Sequence, residues 1–122
     1  MTILDQIIEH KKTELPGLKA SAPQFDTALK KRSSLYETLI RANRLQVISE
    51  MKRASPSKGD IATHIEPVEQ AIQYEKAGAA CISVLTETKC FKGSYADLNI
   101  VANAVNIPAL CKDFIIDEVQ ID

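Results

Sequence analysis

Three charged residues stand where two apolar segments end, and their types suit acid–base chemistry. Side chains alternate along an extended chain, so in LQVISEMKR (residues 45–53) Ile48, Glu50 and Lys52 share one face. The strand rise puts Glu50 and Lys52 about 7 Å apart along the chain. In PALCK (residues 108–112) Lys112 has the same address at a strand end, and Phe114 repeats the two-residue spacing. In parallel sheets and barrels the carboxyl ends of the strands carry the ligand site. An ammonium held out of water near other cations has a lowered pKa and can act as a general acid near neutral pH. One such Glu or Lys alone reads more simply as a strand-end residue reaching solvent, or as a structural ion pair. Three of them at two matching strand ends favour a site.

The segment Ser55-Pro56-Ser57-Lys58-Gly59 follows the first of these strand ends. It is not a nucleotide-binding Gly-rich loop, because GxxxxGK[ST] does not fit. Its hydroxyls, amides and lysine are able to hold an anionic group, yet a plain Ser-Pro turn explains the composition equally well. Cys81, Cys90 and Cys111 are odd in number and form no CxxC pair, which argues against a disulfide framework and a zinc site. None has a histidine partner that would suggest a nucleophile. His10 and His64 lack ligand spacing, so no metal is expected.

The elements that must position these residues are readable from periodicity. Residues 2–14 place Ile3, Leu4, Ile7 and Ile8 on one helical face, with Pro16 and Gly17 as its end. A polar linker containing Pro23 follows. A second helix is predicted from about Ser34, with Leu35, Leu39 and Ile40 on one side. Residues 45–51 read as a strand and ASPSKGD as a loop. Glu66-Pro67 opens a helix whose buried face is Val68, Ala71 and Ile72, and Gly78 stops it. Residues 80–86 (ACISVLT) are apolar nearly throughout, as in a strand covered on both faces. Ser94 with Asp97 is a capping-box pattern for a helix striped by Leu98, Val101, Ala102 and Val105, with Asn106 as its C-terminal cap. Residues 108–112 form a third strand, reaching toward Phe114, and Asp117 with Gln120 starts a further helix. Alternating β and α with short connections implies a parallel sheet with right-handed crossovers. Doubly wound sheets and (β/α)8 barrels both fit that order.

The 122 residues suffice for one compact domain, and 45% hydrophobic with 25% charged residues is ordinary for a globular protein. A net charge of −1 argues against binding to nucleic acid or anionic membranes. No apolar run is long enough to span a bilayer, and residues 1–12 lack the layout of a signal peptide, so a cytoplasmic location is expected.

The residues also carry a resemblance. SEMKRASPSKGDI (residues 49–61) resembles the first-strand signature of indole-3-glycerol phosphate synthases. YEKAGAACISVLTETKCFKGS (74–94) and IPALCKDFIIDEVQI (107–121) agree with that family in order and spacing. The two leading helices look like its N-terminal extension, so the resemblance covers essentially the whole chain. It implies an α/β fold, a (β/α)8 TIM barrel with an N-terminal helical extension at 1–44 and the first three βα units at 45–122. It implies a carboxy-lyase of tryptophan biosynthesis that uses no cofactor. The reaction converts 1-(2-carboxyphenylamino)-1-deoxyribulose 5-phosphate to indole-3-glycerol phosphate by ring closure, decarboxylation and dehydration. By the resemblance, Lys112 is the general acid of ring closure, and Glu50 and Lys52 are the acid–base pair of the first strand. Ser55 contacts substrate, and Phe91 and Phe114 surround the anthranilate ring. Lys92 departs from the family, which commonly has a second glycine there, and Cys111 replaces a commoner large residue.

The family's fourth-strand glutamate and the phosphate grip of its last two loops fall after the matched blocks. The expectation is therefore an N-terminal, incomplete portion, inactive alone. The competing expectation is a non-catalytic, self-associating barrel fragment, since three strands leave two unpaired edges. A related phosphate-handling isomerase is a third reading, disfavoured by the Glu50-Lys52-Ser55 spacing together with Lys112.

Overall fold

In the computed structural model, which describes residues 1–21 and 33–121, the chain divides into two compact units. The linker with Pro23 lies outside the described residues. The first unit comprises residues 1–28 and 113–122, the second residues 29–112.

The second unit contains α2 (Leu35–Ile40), β1 (Ile48–Met51), β2 (Ala54–Ser55), β3 (Gly59–Asp60), α3 (Pro67–Lys76), β4 (Cys81–Leu85), α4 (Tyr95–Ala104) and β5 (Ala109–Lys112). β1, β4 and β5 form a parallel sheet in the order β1-β4-β5, as the alternating pattern predicts. β4 is central and buried on both faces, which is why CISVL has no polar alternation. The two faces separate cleanly by register. Met51, Ile82 and Val84 pack against Ala71 of α3 and Val101 of α4, with Val105 at the end of α4, to make the core. Burying an aliphatic side chain of this size contributes about 1.5–3 kcal/mol. The opposite face carries Glu50, Ser83 and Lys112, and there lies the candidate site.

Local chemistry sets the element ends. Pro67 occupies the first turn of α3, and Gly78 follows that helix at φ +93, a conformation glycine adopts without a Cβ penalty. Several expectations need correction. The first strand begins at Ile48, where pairing with Cys81 of β4 starts, and Leu45 and Val47 ahead of it are exposed. ASPSKGD is not an open loop: β2 and β3 pair antiparallel, with Ala54 opposite Asp60 and Ser55 opposite Gly59. Gly59 sits at φ +62, which lets the chain reverse tightly there. Val68 is exposed, and α3 instead buries Pro67 and Ala71. In α2, Leu39 and Ile40 are exposed. α4 is capped by Val105 rather than Asn106, whose amide donates to Glu75 Oε1 at 2.7 Å. β5 ends at Lys112 and does not reach Phe114.

The first unit is built on α1 (Ile3–Ala20) and a 3-10 turn (Glu118–Gln120). Thr2 and Asp5 form a reciprocal capping box at the start of α1. The helix does not stop at Pro16 but runs to Ala20, where the Ser21 amide donates to the Gly17 carbonyl at 2.9 Å. Proline costs one intrahelical bond, and its fixed φ is itself helical. Ile7 is buried, whereas Ile3 and Leu4 are half exposed. Asp117 and Gln120 form the expected capping box, but on a 3-10 turn rather than an α-helix.

Lys11 is the unexpected buried residue of α1, at 1% exposure, and its Nζ lies 2.9 Å from Asp113, whose side chain is fully buried. Glu14 approaches the same ammonium at 3.2 Å. Burial alone would push the lysine pKa down, but the hydrogen bonds and charges of Asp113 and Glu14 outweigh it and raise the pKa. The contribution of the lysine's titration is therefore complete at neutral pH and is lost as pH rises through the raised value. Breaking a buried pair leaves an uncompensated charge, at about 3–5 kcal/mol. Lys11→Met is expected to cost that much in urea unfolding, and Lys11→Met with Asp113→Leu much less. Equal losses in the single and double variants would exclude a charge-pair origin.

Candidate active site

Glu50 and Lys112 occupy the two outer strands, with β4 between them. Glu50 is level with Ser83, and Lys112 with Leu85. Residues level with one another in a parallel ladder point to the same side, so both charges leave the sheet on the face away from the helices. They meet across β4: Lys112 Nζ donates to Glu50 Oε1 at 2.6 Å. Lys52 Nζ, just beyond the end of β1, lies 3.0 Å from Glu50 Oε2. One carboxylate thus holds an ammonium on each oxygen. Ser83 stands on β4 in the row of Glu50, and its small side chain leaves room for the pair to pass. The Ser83 hydroxyl is buried and lacks a hydrogen bond among the described residues.

This is not the arrangement of mutually adjacent cations in a dry pocket that the sequence suggested for Lys112. Its side chain is 53% exposed, and its partner is a carboxylate that is 30% exposed. The site is open and charge-compensated. Partial burial would raise the Glu50 pKa, but the hydrogen bonds from Lys112 and Lys52, with their charges, hold it below the usual carboxylate value.

The other sequence-predicted residues are distributed unevenly. Phe91 is half-buried in the segment between β4 and α4, and Lys52 Nζ lies 5.9 Å from its ring centre, within cation–π reach. Ser55 ends β2, and its hydroxyl accepts the Lys58 amide at 3.2 Å and lies 3.5 Å from the Ser57 hydroxyl. Phe114 belongs to the first unit, where its carbonyl accepts from Gln120 Nε2 at 3.1 Å. Cys81, Cys90 and Cys111 are free thiols.

Two partnerships escaped the sequence reading. Arg53 forms a two-pronged ion pair with Asp97 and reaches the Lys92 carbonyl at 3.5 Å. The capping box expected at α4 is therefore only half formed. Ser94 Oγ accepts the Asp97 amide at 3.0 Å, while the Asp97 carboxylate is committed to Arg53. Nothing in local spacing links Arg53 to Asp97. The second is Glu87, which is fully buried and accepts three backbone amides of its own loop. An acidic residue directly after an apolar strand was its only signal.

The chain's relatives place it in a family. Residues 4–122 match the family described as indole-3-glycerol phosphate synthase. The chain belongs to the indole-3-glycerol phosphate synthase family. It is 52% identical to the indole-3-glycerol phosphate synthase of Oceanobacillus iheyensis over 122 residues, covering 100% of this chain and 47% of that protein. The protein of the same name from Exiguobacterium sibiricum is 49% identical over 122 residues, with 100% and 47% covered. That of Bacillus cereus is 50% identical over 121 residues, with 99% and 46% covered. The chain thus spans about half the length of the indole-3-glycerol phosphate synthases it matches, and all three signature blocks lie inside the matched span.

The electrostatics of the cluster generate a titration. Because the folded pKa of Glu50 is depressed, its contribution to stability is present above the unfolded carboxylate value and lost as pH falls through the folded one. Carboxyl carbon-13 shifts should give Glu50 a midpoint below that of an exposed glutamate. Lys112→Ala and Lys52→Ala should each move it upward. An unchanged midpoint in both variants would mean that the lysines do not hold the carboxylate in solution.

Proposed function

We propose that this chain forms the first three strands of a (β/α)8-barrel indole-3-glycerol phosphate synthase, with residues 1–44 as the N-terminal helical extension and 45–122 as the start of the barrel. The observation that carries the reading is the Glu50 carboxylate clasped by Lys52 and Lys112 on one face of a parallel sheet, at the strand ends. That is where barrels of this type place their chemistry. Family membership and the names of the relatives point to the same reaction.

In this reading the substrate is 1-(2-carboxyphenylamino)-1-deoxyribulose 5-phosphate. Lys112 protonates the ketone oxygen as the new carbon–carbon bond closes the ring. Carbon dioxide and then water leave to give indole-3-glycerol phosphate. Side chains supply the proton transfers, since no cofactor takes part. Glu50 orients both ammonium groups and, ionised near neutral pH, is available to accept a proton. Lys52 stands near the substrate carboxylate, and Ser55 contacts substrate. By the family resemblance Phe91 and Phe114 are each assigned to the anthranilate ring, since apolar surface around a reacting group excludes water and strengthens charged contacts. The partner is a phosphorylated small molecule, and neither nucleic acid nor membrane is one. Among the described residues no helix is long and apolar enough to cross a membrane, in keeping with a proposed cytoplasmic location.

A second reading has its own observation. Ile48 on β1 and Leu110 on β5 are exposed large apolar residues on the site face, and each strand has one unpaired edge among the described residues. A polypeptide of these residues alone would then associate with itself and carry no activity.

The test uses a chain of the relatives' full length. Lys112→Ala should lower synthase turnover by at least roughly a hundredfold, the lower end of what a general acid supplies, with circular dichroism unchanged. Turnover near wild type would remove Lys112 from the acid role. The 122-residue polypeptide alone is expected to show no turnover and to sediment as more than a monomer. Turnover by that polypeptide, its mass verified, would contradict the expected inactivity, and a monodisperse monomer would remove the self-associating reading.

A further inference from the structure

Outside the charged cluster, the most heavily hydrogen-bonded acidic side chain of the second unit is Glu87. It is fully buried, yet no cation pairs with it among the described residues. Its carboxylate faces the backbone of the segment that follows it. Oε1 accepts the Lys89 amide at 3.0 Å, and Oε2 accepts the Cys90 and Phe91 amides at 2.7 and 2.9 Å. The main chain then closes on the same residue, because the Gly93 amide donates to the Glu87 carbonyl at 2.8 Å. Gly93 returns so tightly against β4 that a Cβ there would come within 1.9 Å of the Leu85 carbonyl oxygen. Lys92, at φ +54, makes the turn into that contact.

This loop has a carboxylate at its centre and a glycine pinned to the strand at its exit. Its one aromatic residue is Phe91, whose ring stands beside the Lys52 ammonium. Two of the three bonded amides are those of Phe91 and of the residue before it. The backbone that aims the ring is thus fixed by one buried side chain.

We propose that Glu87 is a positioning residue that templates the 87–93 loop and sets the Phe91 ring at the wall of the substrate site, without touching substrate itself. The proposal rests on the reading of Phe91 as a contact of the substrate's aromatic ring. A glutamine cannot substitute. It offers one oxygen for three amides, and its NH2 group would face an amide N–H whichever way it turned. An aspartate keeps both oxygens but is one methylene short.

The experiment uses the full-length enzyme with Glu87→Gln, Glu87→Asp, Phe91→Ala and the Glu87→Gln/Phe91→Ala pair. A ring contact made equally in the ground and transition states appears in KM rather than kcat. Glu87→Gln should raise KM roughly tenfold with kcat within about twofold, and Glu87→Asp should recover part of the loss. In the Phe91→Ala background, Glu87→Gln should change KM by less than about twofold, because the ring it acts through is gone. Amide hydrogen exchange without substrate should accelerate at Lys89, Cys90 and Phe91 and stay unchanged in β1 and β5. Additive effects in the double variant, or slow exchange retained at those amides in Glu87→Gln, would overturn the proposal. If Glu87→Gln does not fold, Glu87→Asp takes its place in the same cycle and exchange measurement. Absence of turnover in the unmodified enzyme would sink the functional reading instead, and exchange would then still decide whether Glu87 holds the loop.

Discussion

The site hangs on one carboxylate held between two ammonium groups. Two unit charges 4 Å apart interact by about 4 kcal/mol at an effective dielectric near 20, so lysines gathered at one sheet face need a compensating anion. Glu50 supplies it with one oxygen for each lysine. That geometry makes demands on the fold. β1 and β5 must flank a common strand, Glu50 and Lys112 must fall on the same face of the sheet, and the strand between them must present a small side chain. The order β1-β4-β5 meets the first, the register meets the second, and Ser83 meets the third. The hydrophobic core lies on the other face, so the charges incur no burial in it.

What could be read in advance followed from how local each signal was. Glu50, Lys52 and Lys112 were legible because strand alternation and strand-end position are properties of a few consecutive residues. The helix start at Pro67, the stop at Gly78 and the Asp117–Gln120 box were legible for the same reason. Pro16 is a helix breaker by propensity, yet its fixed φ is helical and α1 continues through it to Ala20. Some of the misreadings came where a tertiary partner overrode a local rule. Asp97 fits a capping box by spacing, but Arg53, 44 residues away, takes its carboxylate. Lys11 looks like a solvated lysine until Asp113 appears, 102 residues on. The hairpin of β2 and β3 was hidden because two-residue strands give no periodicity to read.

The same contrast separates the two carboxylates that organise the second unit. Glu50 is partly exposed, and its partners are long side chains that can leave it, so its bonds are exchangeable. Glu87 is fully buried, and its partners are backbone amides whose positions fold with it. Charge-assisted bonds to three amides would be costly to break, because the buried carboxylate would be left without donors. The strand ends therefore offer mobile charge, and the loop offers a fixed aromatic surface. The proposed reaction, which moves protons while holding a planar ring still, would draw on both, and here they come from the same residue type in opposite environments.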